Sequence, residues 1–326
     1  MTKLLIEFTK KPSLKTLRKN IIKINNNDLD NNVALNFFSK LYAPINNEEK
    51  LDINPILHEF LTSTKKELDK IDRIKIPTNE EITELIDRKA NWKATGPDGI
   101  HSMWYKHFPV TKKVLTEWVK EIWLGNTKIL KNSDSEGNMH LIFKEGDPSD
   151  PANYRLITCL IYKYKILTAS IYEKLDPLLT DSLIFPVEQK ALKRGCRGCT
   201  DALLKDASIL INNRITNRQK NTNLHVTWID FSKAFDSIDH RWQRKIINIL
   251  SFLLTTINTL IKLTESWHSS IIVNKNSIGS FKISREVPQK DSLSPLLFCM
   301  SIAGIGFGLN KIDGFKSTLP ITTNHQ

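Results

Sequence analysis

Apolar and polar positions alternate along the chain in two periods, one suited to helices and one to strands. Val33, Leu35, Phe37, Phe38, Leu41 and Tyr42 make a short apolar helix after the asparagine-rich loops 25–28 and 31–32. Thr78 followed by Glu81 forms a capping box ahead of Ile82, Leu85 and Ile86, which recur at helical spacing. That helix stops at Ala94-Thr95-Gly96-Pro97-Asp98-Gly99, where two glycines and a proline impose a special backbone path. Residues 140–143 read as a short strand, 144–148 as a turn and 154–160 as the return strand. Residues 164–179 follow as a helix that should end near Pro177. A helix over 200–214 places Leu203, Leu204, Ala207 and Ile211 on one face. Residues 224–229 read as a strand ending on Asp230, and 240–254 as a helix. Residues 270–273 and 279–283 suggest a hairpin turning near Lys275 and Asn276. Ser294–Leu309 is a last apolar helix, which Gly304, Gly306 and Gly308 interrupt at about 1 kcal/mol each relative to alanine. Helices mixed with hairpins predict an α+β fold rather than strict βα alternation.

Size and charge narrow the picture. The 326 residues suffice for about two domains at roughly 150 residues each. With 40% hydrophobic and 25% charged residues, disordered, collagenous and coiled-coil classes are excluded. A net charge of +12 points to a polyanionic partner such as nucleic acid, or simply to a basic soluble protein. The basic residues gather at the start (Lys10, Lys11, Lys15, Arg18, Lys19, Lys23) and in the loop holding Lys190, Lys193, Arg194 and Arg197. Trp92, Trp104 and Trp118 read as core, with base stacking as the alternative. Four cysteines are too few for a disulfide scaffold of this length, which suggests a reducing compartment. Cys196 and Cys199 form a C-x-x-C pair, but no second close pair completes a zinc set. The start lacks the apolar core of a signal peptide. The stretch from Ile249 to Leu263 is broken by Thr255, Thr256, Asn258 and Lys262, so no membrane span is expected. The expected location is intracellular, nucleus or cytoplasm.

Two segments carry candidate chemistry. In Trp228-Ile229-Asp230-Phe231-Ser232-Lys233-Ala234-Phe235-Asp236, an acid at the end of an apolar strand is a candidate ligand for a divalent cation. Phe235, five residues on, is placed to pack beside a nucleotide, while Asp236 and Asp239 suit the turn and the cap of the next helix. The second segment runs from Pro288 to Phe298, where Ser294-Pro295 fits a loop entering a helix. Read alone, each segment also fits an ordinary acidic or proline-containing loop.

Several motifs taken in order carry more. They are Asn91-Trp92-Lys93-Ala94 with 96–100, Lys144-Glu145-Gly146-Asp147-Pro148 with Asn153-Tyr154-Arg155, and Gln189-Lys190. Gly198-Cys199-Thr200-Asp201, then 230–240, then 289–298 complete the series. Together they resemble the reverse transcriptase region of a non-LTR, LINE-like retrotransposon over about residues 77–300. The resemblance implies a right-hand polymerase fold with fingers and a partial palm after an N-terminal helical extension. Its divisions fall at 1–76 (basic extension), 77–222 (fingers-like) and 223–326 (partial palm). It implies an RNA-directed DNA polymerase acting on an RNA template, a DNA primer and deoxynucleoside triphosphates, with Mg2+ as cofactor. Asp230 resembles the carboxylate that binds both catalytic ions, with the Phe231 carbonyl as a further ligand. Phe235 resembles the steric gate against a ribose 2′-hydroxyl. Arg155, with Lys144 assisting, resembles the triphosphate clamp, and Gln289 lines the nucleotide and template pocket. Arginine suits that role because its fork donates several charge-assisted bonds to phosphate.

The same resemblance exposes departures. The family's second carboxylate site is an aromatic-x-Asp-Asp hairpin, and no Asp-Asp pair occurs in the 326 residues. A polymerase truncated before that hairpin, with little activity as an isolated chain, is therefore expected. Arg285-Glu286 and Gln289-Lys290 stand where Arg-Gly and Gln-Gly are usual, and Thr95 and Leu156 replace prolines. These changes read as relaxed constraint. A non-catalytic RNA-binding remnant is the alternative function. A phosphodiesterase built on Asp230, Asp236 and Asp239 is a weaker one, because acids in one turn seldom converge on a metal without histidine.

Overall fold

The computed structural model describes residues 29–44, 51, 53–71, 74–181, 185–186, 188–191, 193, 195–220, 228–250, 254–288 and 291–312. The basic residues 10–23, Arg194, the strand positions 224–227, and Gln289 with Lys290 lie outside that set.

Hydrogen-bond pairing fixes the centre of the molecule. Strands β1 (Glu136–Phe143), β2 (Tyr154–Leu160), β3 (His268–Val273) and β4 (Asn276–Lys282) form one sheet in the order β2-β1-β3-β4. β1 runs antiparallel to β2, with Phe143 opposite Tyr154, and parallel to β3, with Met139 opposite Ile271. β1 starts four residues earlier than its own alternation announces, because β3 supplies a parallel partner from Glu136 onward. The hairpin β3–β4 turns at Asn274 and Lys275, both at positive φ (52° and 70°), as a tight two-residue turn requires.

Helices cover this sheet. In chain order they are α1 (Asn31–Leu41), α2 (Pro55–Leu68), α3 (Asn79–Arg88), α4 (Ser102–His107) and α5 (Pro109–Trp123). Then come α6 (Tyr162–Asp181), α7 (Cys199–Lys220), α8 (His240–Asn248), α9 (Leu254–Glu265) and α10 (Ser294–Leu309). A mixed sheet with packed helices bears out the α+β class and is consistent with a reverse-transcriptase-like fold.

Local signals account for most boundaries. Thr78 Oγ1 accepts from Glu81 N at 3.2 Å, and Glu81 Oε2 accepts from Thr78 N at 2.8 Å, closing the capping box. Asn31 and Asn32 belong to the first turn of α1 rather than to a loop, because the Asp30 carboxylate caps it through both Asn32 N and Val33 N. α6 continues through Pro177 to Asp181, since Leu175 and Leu179 on either side are fully buried and hold the helix in place. The helix expected over 240–254 breaks after Asn248. Ile246, Ile247, Ile249 and Leu250 are all buried, and four apolar residues in five cannot share one helical face.

The core runs under β1 and β2. Met139, Ile166, Leu167, Ile171 and Leu175 are fully enclosed there, and Trp123 Nε1 donates to Ser170 Oγ at 2.9 Å. Gly96 is pressed so closely on this core that a Cβ would lie 2.4 Å from Ile161 N, which explains why glycine stands in that loop. The glycines of α10 have a similar role. A Cβ on Gly304 would meet Leu57 of α2 at 2.7 Å, and one on Gly306 would meet Pro186 at 2.8 Å. Two of the three glycines that interrupt α10 thus let it pack closely, so at those positions relaxed constraint is not needed to explain them. No helix among the described residues is long and apolar enough to cross a membrane.

Two tryptophans contradict the sequence reading. Trp92 is 70% exposed and Trp104 46%, so neither is core. Trp118 does pack against the core, with Lys163 Nζ 5.1 Å above its ring. The α7 face with Leu203, Leu204 and Ile211 is exposed.

Candidate active site

The β1–β2 hairpin presents two cations at its end. Lys144 N donates to Asn153 O at 2.9 Å, and Asn153 Nδ2 donates to Asp147 O at 3.0 Å. Tyr154 OH donates to Pro148 O at 2.7 Å, tying the turn to the ladder. Arg155 sits opposite Ile142 in register, exposed between the buried Tyr154 and Leu156. Its backbone is therefore held by the sheet while its guanidinium stays accessible.

The acidic segment is built differently. Trp228 (76% exposed), Ile229 (67%) and Asp230 lie outside the sheet, so the end of the expected strand at 228–230 is unpaired in the structure. A strand is stabilised by its ladder, and these residues have none. Order begins at Lys233, which has φ of 48° and rests its ammonium 4.6 Å over the Phe37 ring. Ser237 N donates to Lys233 O at 3.0 Å, closing a short turn. Val287 N donates to Phe235 O and Glu286 N to Ile238 O, both at 3.0 Å, joining the segment to the chain ahead of α10. Phe235 is half-buried and stacks on Phe298 with centroids 4.4 Å apart and planes 8° off parallel. Asp239 caps α8 through Arg241 N at 2.7 Å and pairs with the Arg241 guanidinium at 2.7 Å. Burial pushes its pKa up, but the Arg241 bonds outweigh that and hold the carboxyl below its ordinary value.

Both segments face one cavity of about 870 Å³. It brings together Lys144, Arg155, Asp230, Phe231 and Phe235, five of the six site residues expected from sequence. The sixth, Gln289, lies outside the described residues. Residues that the sequence reading missed also line the cavity: Phe38 and Leu41 of α1, Tyr42 just after it, Lys233 and Asp291, together with Asp236, which the sequence assigned to the turn. No local signal marks α1 as a wall of this cavity, because its packing on β4 and on the turn at Pro151–Asn153 brings it there. Asp291 is buried, accepts from Thr168 Oγ1 at 2.5 Å and from Leu293 N at 3.2 Å, and has its pKa raised chiefly by burial. The volume lies within the range of about 300–1,000 Å³ typical of small-molecule sites.

The reverse transcriptase (RNA-dependent DNA polymerase) family model matches residues 142–317, just over half of the chain. This chain belongs to that family. The matched span opens inside β1 and takes in Lys144, Arg155, the whole Asp230 segment and α10. Membership implies a nucleic-acid template and deoxynucleoside triphosphate substrates.

Reverse transcriptase domains generally use Mg2+. Asp230 is exposed and makes no hydrogen bond or ion pair among the described residues. Asp236 contacts Tyr42, and Asp291 is engaged by Thr168 and Leu293. No group of three His, Cys, Asp or Glu converges anywhere among the described residues. One exposed carboxylate beside the half-buried Asp236, with no third ligand converging on them among the described residues, does not fit a two-ion centre, which needs ligands on both sides of a gap of about 3.5–4 Å.

Behind the cavity wall lies an unusual buried cluster. Glu286 is 2% exposed, stands at φ 145°, and its Oε2 has no hydrogen-bond partner among the described residues. Burial, then the Asp236 carboxylate, push its pKa well above the ordinary range. His240 Nε2 lies 3.0 Å from the Glu286 carbonyl, and burial lowers its pKa to about 4.

Proposed function

We propose that the chain is the RNA-directed DNA polymerase domain of a non-LTR retrotransposon, and that the cavity of about 870 Å³ receives the incoming deoxynucleoside triphosphate. Arg155 grips the phosphates through its fork, and Lys144 adds a point charge at the same end. Phe235, backed by the Phe298 ring, packs against the sugar and leaves no room for a 2′-hydroxyl. Asp230 supplies the carboxylate on the opposite rim. The observation that carries this reading is the meeting of Lys144, Arg155, Asp230 and Phe235 around one cavity, though they come from segments some 75 residues apart in sequence.

The chain by itself does not complete nucleotidyl transfer, because its cavity offers one accessible carboxylate where two ions must be held. Primer extension on an RNA template with Mg2+ tests this. No product is expected. Extension that Asp230→Ala abolishes would overturn the proposed inactivity while supporting the family role of Asp230. The lone carboxylate also favours a second reading, a nucleic-acid-binding remnant without turnover. Salt-dependent RNA binding with no affinity for nucleotide triphosphates would favour that reading over the first.

A further inference from the structure

Glu286 is gripped by its backbone on both sides. Its N–H donates to Ile238 O at 3.0 Å, and its carbonyl lies 3.0 Å from His240 Nε2. A bridge between Asp239 and Arg285 joins the same two segments. The side chain therefore cannot turn out to solvent without breaking that pairing. Held inside, its Oε2 has no hydrogen-bond partner, and no cationic side chain pairs with the carboxylate among the described residues. A carboxylate at that depth is tolerated only when donors or a cation match it.

What faces it is a second carboxylate. Asp236 is half-buried on the wall of the cavity of about 870 Å³, and its charge adds to burial in opposing that of Glu286. The buried Tyr42 hydroxyl bonds Asp236, and the buried Thr158 hydroxyl of β2 stands against Glu286. The cations nearby are occupied or neutral. Arg241 pairs with Asp239, Lys233 rests over the Phe37 ring, and burial keeps His240 uncharged above about pH 4. The recess thus gathers oxygen atoms from four separate segments, with two carboxylates at its centre. Oxygen-only surroundings of that charge suit a hard cation. An irregular set of carboxylates and hydroxyls suits Ca2+, which accepts about six to eight oxygens in flexible geometry, better than Mg2+, which demands a near-ideal octahedron. We infer that Asp236 and Glu286, with the Thr158 hydroxyl, hold one calcium ion that enters from the cavity side. Asp230 is no part of this recess, and the inference stands apart from the nucleotide reading. Glycine, usual in the family at 286, offers no side-chain ligand, so the site belongs to this chain rather than to the family.

Thermal unfolding and terbium luminescence of the full chain at pH 7 test it. Tb3+ takes calcium sites and glows when an aromatic ring beside it, here Tyr42, is excited. Millimolar CaCl2 should raise the melting temperature above that in EDTA, because an ion that binds only the folded chain stabilises it. Glu286→Gln keeps the shape of the side chain. It should bind Tb3+ at least about tenfold more weakly and lose the calcium shift, and Asp236→Asn should do the same. Asp230→Asn should keep both signals. Absence of a calcium shift in the parent, or its persistence in Glu286→Gln, would overturn the inference and leave Glu286 a protonated acid. A shift with MgCl2 and none with CaCl2 would overturn it as well. So would loss of the shift in Asp230→Asn, which would place the ion at the exposed carboxylate instead.

Discussion

The two segments that line the proposed nucleotide cavity are made to different standards. On one bank, Arg155 and Lys144 rise from a hairpin laddered to a buried sheet, its turn locked by Asn153 and Tyr154. On the other, Asp230 ends an exposed, unpaired stretch and is followed by a turn that borrows its hydrogen bonds from residues 286–287. Under the proposed function, binding of phosphate falls to the Arg155 fork, whose backbone the sheet holds. Catalysis needs carboxylates held rigidly against one another, which the second bank lacks. On the proposed function, the contrast separates substrate recognition, assigned to β1 and β2, from chemistry.

The comparison can be broken from the hairpin side most forcefully. Met139 is fully buried at the centre of β1, so Met139→Ala should cost about 2–5 kcal/mol and lower the melting temperature clearly. Nucleotide binding should fall with it. Acid comes next. His240 carries a pKa of about 4 when folded against 6.5 in the free side chain. Below pH 6.5 the unfolded chain gains a proton that the fold refuses until about pH 4. Stability should therefore drop by about 3 kcal/mol across that window, as urea titrations at pH 7 and pH 4 would register.

Glu286 works in the opposite sense. Its pKa is raised, so stability is full below the ordinary value of 4.5 and declines as pH rises above it. Glu286→Gly removes both the buried carboxylate and a side chain at φ 145°, and should stabilise by about 1–3 kcal/mol at pH 7. Glu286→Gln separates the two contributions, because it keeps the strained backbone and abolishes the pH dependence. The smallest effect belongs to the carboxylate bank itself. Asp230→Asn should change stability by less than about 0.5 kcal/mol, the value for an exposed site without partners, and calorimetry would check it.

What was legible in the sequence follows from how local each signal is. The Thr78–Glu81 capping box, the bounds of β2 and of α10, and the β3–β4 hairpin are set by neighbouring residues, and each emerged from pattern alone. The early start of β1 is not local. It depends on β3, more than a hundred residues later. Pro177 continues a helix because of tertiary burial at Leu175 and Leu179, which overrides its propensity. Trp92 and Trp104 misled for the same reason, since an apolar side chain does not state what will cover it. In the cavity, Arg155, Lys144, Asp230 and Phe235 were found through motifs. Tyr42, Lys233 and Asp291 join them only through packing, whereas Glu286 was marked in the sequence as standing where the family usually has glycine, and only its burial was not legible.

The most direct test of the central claim is equilibrium binding of a deoxynucleoside triphosphate to the full chain and to Arg155→Ala. The account predicts that the parent binds and that the variant, equally stable, binds at least about tenfold more weakly, the loss of one or more charge-assisted bonds. Equal affinity in the two proteins would contradict it.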